Sequence, residues 1–365
     1  MNILVISPDH PENPWFAGGQ SERINKVFSR IGERHAVRVV TCGWPGGPAE
    51  SRLNGLRYLH GSGWPGRLAS RLAYCLEAQR QVSRGGYDIL VEVINAFSPT
   101  FASHLCRRPA IVDFSVNPFE AAGKYRFAAP ILRRRLRWDL RGFDRGVALC
   151  PSMLRSIEKY CSCTPDTAIV DKGVDREYFR YQPEDADYLL FLGRVDINHK
   201  GLDHLIEAYA RVRKKHPEVS LVIAGTGPDE DDVRERIGQM RLGGSVEMVG
   251  WVEGEQKIEF LRKALMVCMP SRREGWPGVA NEAAACGKPV VGFRVTGMKD
   301  AIIHRRTGLL VESERTDAFA DAVCRLLDNP SMRRELGQNA RERARGFTWG
   351  RTAAQYEAIC EEVLS

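Results

Sequence analysis

Short apolar runs recur along this chain, each followed by a stretch with helical periodicity, and that alternation leaves few folds open. Residues 2–7, 36–42, 88–94, 110–114 and 146–150 are runs of the length and apolar content of buried strands. Between them, residues 20–33 repeat Ile24, Val27, Phe28 and Ile31 at helical spacing, and residues 152–160 form a second such stretch. The pattern then restarts. Strands are expected at 188–192, 220–224, 246–249, 264–269 and 289–293, with helices at 201–216, 230–239, 256–263, 281–286 and 316–327. Strand–helix alternation of this kind builds parallel sheets covered on both faces. The expected fold class is therefore α/β, with two Rossmann-like doubly wound sheets joined near 171–183. A length of 365 residues suits two domains. The expected division is 1–178, 179–346 and a C-terminal helix at 347–365 that returns to the first domain.

Composition narrows the functional classes. No apolar run approaches the ~20 residues of a membrane span. The opening Met1-Asn2-Ile3-Leu4-Val5-Ile6 reads as a first strand and not as a signal peptide. A cytoplasmic location is expected, with peripheral attachment to the inner face of the membrane as a further option. The ten cysteines include Cys161 and Cys163, but no second pair stands at zinc spacing. Buried reduced thiols are expected, and no metal. Net charge is +7, and all the excess lies in residues 1–180, which hold 26 Lys and Arg against 17 Asp and Glu. Such a one-sided field suits an anionic partner. Neither a helix-turn-helix pattern nor an aromatic-interleaved basic stretch is present, so nucleic acid is not the expected partner.

Four segments carry chemistry. In Ser271-Arg272-Arg273-Glu274-Gly275-Trp276-Pro277-Gly278-Val279-Ala280-Asn281-Glu282, two carboxylates stand eight residues apart. Glu274 is expected in the loop at a strand's carboxyl end, where open α/β sheets bind ligands. Glu282 is expected in the first turn of the next helix. A carboxylate accepts paired hydrogen bonds from vicinal hydroxyls, which suits a ribose or a hexose. The helix preference of an acidic residue explains Glu282 alone, but not a Glu before a Gly-Trp-Pro-Gly loop. In Gly193-Arg194-Val195-Asp196-Ile197-Asn198-His199-Lys200-Gly201, two cations follow the second domain's first strand. Arg194, as a fork, and Lys200, as a point charge, suit a diphosphate whose negative charge grows as a glycosidic bond breaks. Gly18-Gly19 precedes a helix start, where backbone amides favour anions. Gly225-Thr226-Gly227-Pro228 is neither a dinucleotide fingerprint nor a P-loop.

Together these segments resemble the family 4 glycosyltransferases of the GT-B fold. Glu274 and Glu282 match that family's Glu-x7-Glu motif. Gly193-Arg194 with Lys200-Gly201 matches its diphosphate clamp, and Gly18-Gly19 its N-terminal loop. Residues 223–228, 287–291 and 307–310 match framework segments. The resemblance is strong over 188–312 and weaker in the first domain. It implies a retaining, metal-independent hexosyl transfer from a nucleotide-diphosphate sugar, with a UDP- or GDP-sugar expected, to an acceptor hydroxyl. Glu282 would hold the donor ribose, Glu274 the transferred sugar, and Arg194 and Lys200 the diphosphate. Gly18, Gly19, Gly225, Trp276 and Gly278 would line the donor. Attack on the same face, with the leaving phosphate helping to deprotonate the acceptor, needs no covalent carboxylate. Many members carry a His after the strand that here reads Ile111-Val112-Asp113-Phe114-Ser115-Val116-Asn117. This chain has none there, and Asp113, Ser115 or Asn117 is expected on the acceptor side in its place. His104 is expected to be structural. Pro277 also removes one backbone donor from the phosphate loop.

The acceptor is less legible. Assembly of a cell-surface polysaccharide or glycolipid is the role the resemblance implies, with a glycan or lipid-linked acceptor. Residues 129–145 read as a helix whose Leu132, Leu136, Leu140 and Phe143 make an apolar face, while Arg133, Arg134, Arg137 and Arg141 offer contacts to an anionic membrane surface. The alternatives are a transferase acting on a soluble small molecule, a nucleotide-sugar epimerase and a catalytically silent sugar-nucleotide binder. The paired glutamates argue against the epimerase.

Overall fold

The computed structural model describes residues 1–16, 18–123 and 127–365. It divides into two compact units. The first comprises Met1–Gly173 and Trp349–Ser365, the second Val174–Thr348.

The first unit holds an eight-stranded sheet. In chain order its strands are β1 (Asn2–Ile6), β2 (Ala36–Thr41), β3 (Glu50–Leu53), β4 (Leu56–His60), β5 (Ile89–Val93), β6 (Ala110–Phe114), β7 (Arg145–Ala148) and β8 (Thr167–Ile169). They lie in the order β3-β4-β2-β1-β5-β6-β7-β8, and all pairs are parallel except β3 with β4. That hairpin is absent from the sequence reading above, although its signal is present. Asn54-Gly55 joins the strands with both residues at positive φ, 50° and 80°, the twist a two-residue hairpin turn requires.

The terminal helix Trp349–Leu364 packs on the helix Gly19–Ile31 and completes this unit's core. Trp349 and Tyr356 are buried there beside Ile3, Phe28, Tyr58 and Val91. Burying each such side chain contributes about 1.5–3 kcal/mol. The helix expected at 129–145 is shorter. It ends at Leu140, and Arg145 already opens β7, because the sheet recruits the run that follows Gly142.

The second unit holds a six-stranded, all-parallel sheet. Its strands are β9 (Tyr188–Leu192), β10 (Ser220–Ala224), β11 (Val246–Gly250), β12 (Met266–Met269), β13 (Val290–Phe293) and β14 (Gly308–Val311). Their order is β11-β10-β9-β12-β13-β14. Side chains of a strand alternate between faces, and here both faces are buried. Leu189 and Phe191 enter one core cluster with Tyr209, Phe293 and Phe319, while Leu190 and Leu192 enter another with Val267, Ala283 and Met298.

The two sheets share a topological property that locates the sites below. After β1 the chain moves outward to β2, and after β5 it moves the other way to β6. After β9 it moves to β10, and after β12 to β13. Each unit therefore has one switch point, between β1 and β5 and between β9 and β12. Loops leaving the carboxyl ends of such strand pairs diverge and leave a crevice.

Candidate active site

In the second unit, the loops after β9 and β12 meet at the switch point through two of the expected residues. Lys200 donates to Glu274 at 2.7 Å, and both are largely withdrawn from solvent. The loop bearing Lys200 is a single helical turn, Ile197–Lys200, capped by Asp196, whose carboxylate accepts from His199 N at 2.8 Å. Arg272 fastens it to the β12 loop. Its backbone N–H donates to His199 O, and its guanidinium donates to both Asp203 oxygens, to Ile197 O and to Glu314. This bidentate anchor explains how a short loop holds one geometry.

Electrostatics at the pair are set by burial against charge. Burial alone disfavours the Glu274 carboxylate, but the Lys200 ammonium outweighs it and holds the carboxyl below its usual range. His199 moves to about 4, through burial and then the neighbouring Lys200 charge, so its imidazole is neutral near pH 7. The pair thus presents one cation and one anion, each fixed by the other.

Glu282 is held separately. The helix it rides starts at Gly278, three residues before the expected start, so Glu282 lies in the second turn and not the first. Pro277 is the N-cap, which costs nothing in lost donors because the first amides of a helix have no intrahelical partner. Lys257, on the helix Gly254–Lys263, donates to Glu282 Oε1 at 2.7 Å. Glu282 Oε2 is buried and, among the described residues, has no partner. A buried carboxylate oxygen left over from an ion pair is suited to accept from a ligand hydroxyl.

Lys257 is the residue the sequence reading lacks. It stands 25 positions from Glu282 in an ordinary amphipathic helix, and only the crossover from β11 to β12 brings it near. No local signal marks it.

The other expected residues are placed as follows. Arg194 turns to Asp196 at 2.8 Å, and its side chain is 61% exposed, so it does not join the Lys200–Glu274 pair. Trp276 is half-buried with its ring edge-on to Phe347 at 5.6 Å, and its Nε1 is buried without a partner among the described residues. Gly225 has a packing role. At φ +145°, a Cβ there would sit 1.8 Å from Gly193 O, so the loops after β9 and β10 cross backbone to backbone. Gly18 and Gly19 open the helix Gly19–Ile31 in the first unit, where Gly18 N donates to Ser21 Oγ at 3.0 Å.

The residues expected on the acceptor side are all engaged within the first unit. Asp113 is fully buried. It pairs with Arg23, accepts from Tyr356 Oη at 3.0 Å and accepts from Ser115 Oγ at 2.8 Å. Ser115 is thereby occupied too. Asn117 caps the helix Pro118–Ala122, accepting from Phe119 N and Glu120 N. A carboxylate inside the apolar run Ile111-Val112-Asp113-Phe114 has to find a cation, and Arg23 supplies it from the helix Gly19–Ile31. His104 stacks on Trp138 at 3.5 Å between ring centroids, a structural contact.

Residues 176–343, nearly all of the second unit, match the family model of the glycosyl transferases group 1. The fold, unit by unit, is GT-B. The sucrose-phosphate synthase of Thermosynechococcus elongatus superposes with a TM-score of 0.86 at 22% identity, over 99% of this chain and 98% of that one. The Anabaena protein HepE, solved with UDP and glucose, superposes with a TM-score of 0.79 at 16% identity, over 99% and 100%. In sequence, a D-inositol 3-phosphate glycosyltransferase of Pseudarthrobacter chlorophenolicus is 37% identical over 188 residues, 50% of this chain and 43% of that protein. The match thus spans less than half the length of that relative.

Proposed function

We propose that the chain is a family 4 glycosyltransferase that moves a hexosyl group from a nucleotide-diphosphate sugar to an acceptor hydroxyl with retention and without a metal. The observation that carries the reading is the pair of Lys–Glu contacts, Lys200–Glu274 and Lys257–Glu282, inside the segment that matches the family. Glu282, with one oxygen spare, accepts from the ribose hydroxyls. Glu274 exchanges its lysine for hydroxyls of the transferred sugar. Lys200, so released, neutralises the leaving diphosphate, aided by Arg194, whose exposed fork is free to swing from Asp196. That the HepE structure contains UDP and glucose supports a UDP-sugar as the first donor to try.

The test is a metal-free thermal-shift panel of UDP-, GDP-, ADP- and TDP-sugars with chelator present. A donor at about 100 times its Kd stabilises by about 2.7 kcal/mol. A flat panel for the intact chain sinks the reading, and an inverted anomeric proton in the product NMR spectrum sinks retention.

A specific surface of the first unit favours a lipid-linked acceptor at a cytoplasmic membrane face. No helix among the described residues is long and apolar enough to cross a membrane. On the helix Arg67–Arg84, however, Leu68, Leu72 and Leu76 are exposed at four-residue spacing. The short helix Ala102–Leu105 packs beside it, and Phe101 there meets the exposed Trp138 of the helix Ala129–Leu140 at 5.8 Å. Of the arginines singled out on and just after that last helix, Arg134, Arg137 and Arg141 are exposed, Arg137 also donating to Tyr160 O, whereas Arg133 is half-buried and donates to Phe119 O. An apolar ridge bordered by arginines fits an anionic bilayer surface. Flotation with phosphatidylglycerol liposomes should recover the protein at low salt, and its absence from the lipid fraction removes this reading.

A further inference from the structure

Arg71 stands at the other switch point, between β1 and β5, with its guanidinium uncommitted. It projects from the helix Arg67–Arg84. Its guanidinium carbon lies 5.1 Å from the ring centroid of Phe16, in the loop after β1, and 5.8 Å from that of Phe97, in the loop after β5. The two loops that diverge at the switch point therefore each contribute a phenyl ring to one arginine. Aromatic faces hold a guanidinium by cation–π attraction without using any of its N–H donors. Among the described residues, Arg71 makes no hydrogen bond and no ion pair, and its Nε is buried without a partner. Asp9 lies close enough for its charge to be felt, yet forms no ion pair with it. The β5 loop adds a second unpaired group, the buried Ser98 Oγ.

The contrast with the unit's other inward arginines is informative. Arg23 gives its terminal nitrogens to Asp113 and Val170 O, and Arg135 to Asp139 and the carbonyls of Asn95 and Ala96, although the Nε of each is, like that of Arg71, without a partner among the described residues. Only structural roles are visible for those two. Arg71 has a fixed plane, five donors and nothing in the fold to receive them. Burying a guanidinium donor unpaired is costly, and a fold retains it where a ligand completes it.

We propose that Arg71 binds the phosphate of a phosphorylated acceptor in the first unit's switch-point crevice. The assignment of that group to an acceptor rests on the glycosyltransferase reading, whereas the anion site itself does not. A planar fork matches two phosphate oxygens, and a hydroxyl such as Ser98 Oγ can serve a third.

The experiment is titration of the full chain with inorganic phosphate by calorimetry at saturating UDP, for wild type, Arg71→Ala and Arg71→Lys. Because the second unit also offers cations, the readout is the difference between variants. Phosphate affinity should fall at least tenfold in Arg71→Ala and partly in Arg71→Lys, which keeps the charge and the stem between the rings but loses the fork. UDP affinity should be equal in all three. Equal phosphate affinity in wild type and Arg71→Lys and Arg71→Ala overturns the proposal, as does an absence of phosphate binding by wild type. A parallel titration with acetate that proves tighter than phosphate overturns the phosphate assignment in favour of a carboxylate. Loss of UDP binding in the wild-type protein would instead count against the donor reading and leave the Arg71 comparison intact. Should Arg71→Ala not fold, Arg71→Lys alone reads the fork.

Discussion

Replacing Asp113 by Asn tests whether this residue is a structural lock or part of acceptor chemistry. Asn has the same shape, so the substitution opens no cavity and the loss is electrostatic. Arg23 and Asp113 are 2% and 0% exposed, and removing one partner of such a pair leaves a buried charge uncompensated, at a cost of about 3–5 kcal/mol. The amide oxygen still accepts from Tyr356, so the lower end, about 3 kcal/mol, is expected. In a domain of this size each kcal/mol moves Tm by roughly 2–4 °C, giving a fall of roughly 6–12 °C. Urea unfolding followed by tryptophan fluorescence gives the free energy, and a UDP titration reports the second unit independently. Stability lost with UDP affinity kept is the expected outcome. A loss below about 1 kcal/mol accompanied by abolished transfer would refute the argument and return Asp113 to the acceptor side. Replacing Arg23 and Asp113 together by Met and Leu should cost less than Asp113→Asn alone, because no charge is then stranded.

Three further perturbations separate the roles in the second unit and the buried acids in the first. Lys200→Ala should lower kcat by about 10²–10³ through lost leaving-group stabilisation, and should raise the Glu274 pKa, because burial then loses its main opponent; unchanged turnover would disqualify Lys200. Lys257→Met should weaken UDP binding by about tenfold, or about 1.4 kcal/mol, by freeing the Glu282 carboxylate to rotate; equal affinity by calorimetry would detach Lys257 from the donor site. Glu92 is fully buried, and burial pushes its carboxyl from 4.5 to about 7 despite the hydrogen bond from Thr100. The folded chain therefore retains a proton that the unfolded chain releases, and stability falls as pH rises from about 4.5 to about 7, by on the order of 3 kcal/mol. Glu92→Gln should remove that part of the decline, while Asp9, pushed by burial to about 6, maintains the rest; an unaltered pH profile in urea titrations would contradict this.

The strands that read most easily were the ones buried on both faces, since a run such as Tyr188–Leu192 has to be apolar throughout. Segments with weaker demands escaped. The helix Pro330–Ala344 is mostly polar, with an apolar stripe reduced to Leu336, Ala340 and Ala344, and β14 is only four residues long. The Asn54-Gly55 hairpin is legible in its turn dipeptide alone, since its first strand, β3, is short and half exposed. In the candidate site, Glu274, Glu282 and Lys200 were marked by spacing and by the glycines around them. Lys257, Arg272 and Arg71 were not, because each acquires its meaning from a partner on a different βα unit. The partners of Asp113 are hidden for a related reason: a carboxylate within an apolar strand announces a buried pair, but the strand does not say whether the cation belongs to the protein or to a ligand.

The helix Trp349–Leu364 has a consequence for how the chain is made. Tyr356 contributes both to the first unit's core and to the hydrogen bonds on Asp113, yet it follows the whole second unit in the chain. On a ribosome, domains ordinarily fold in the order in which they emerge. Here the N-terminal domain lacks part of its interior until residues beyond Thr348 have emerged, whereas Val174–Thr348 is complete before then. The second domain is therefore first to reach its final state, and a chain truncated before Trp349 would leave the first domain with an apolar face uncovered and open to aggregation.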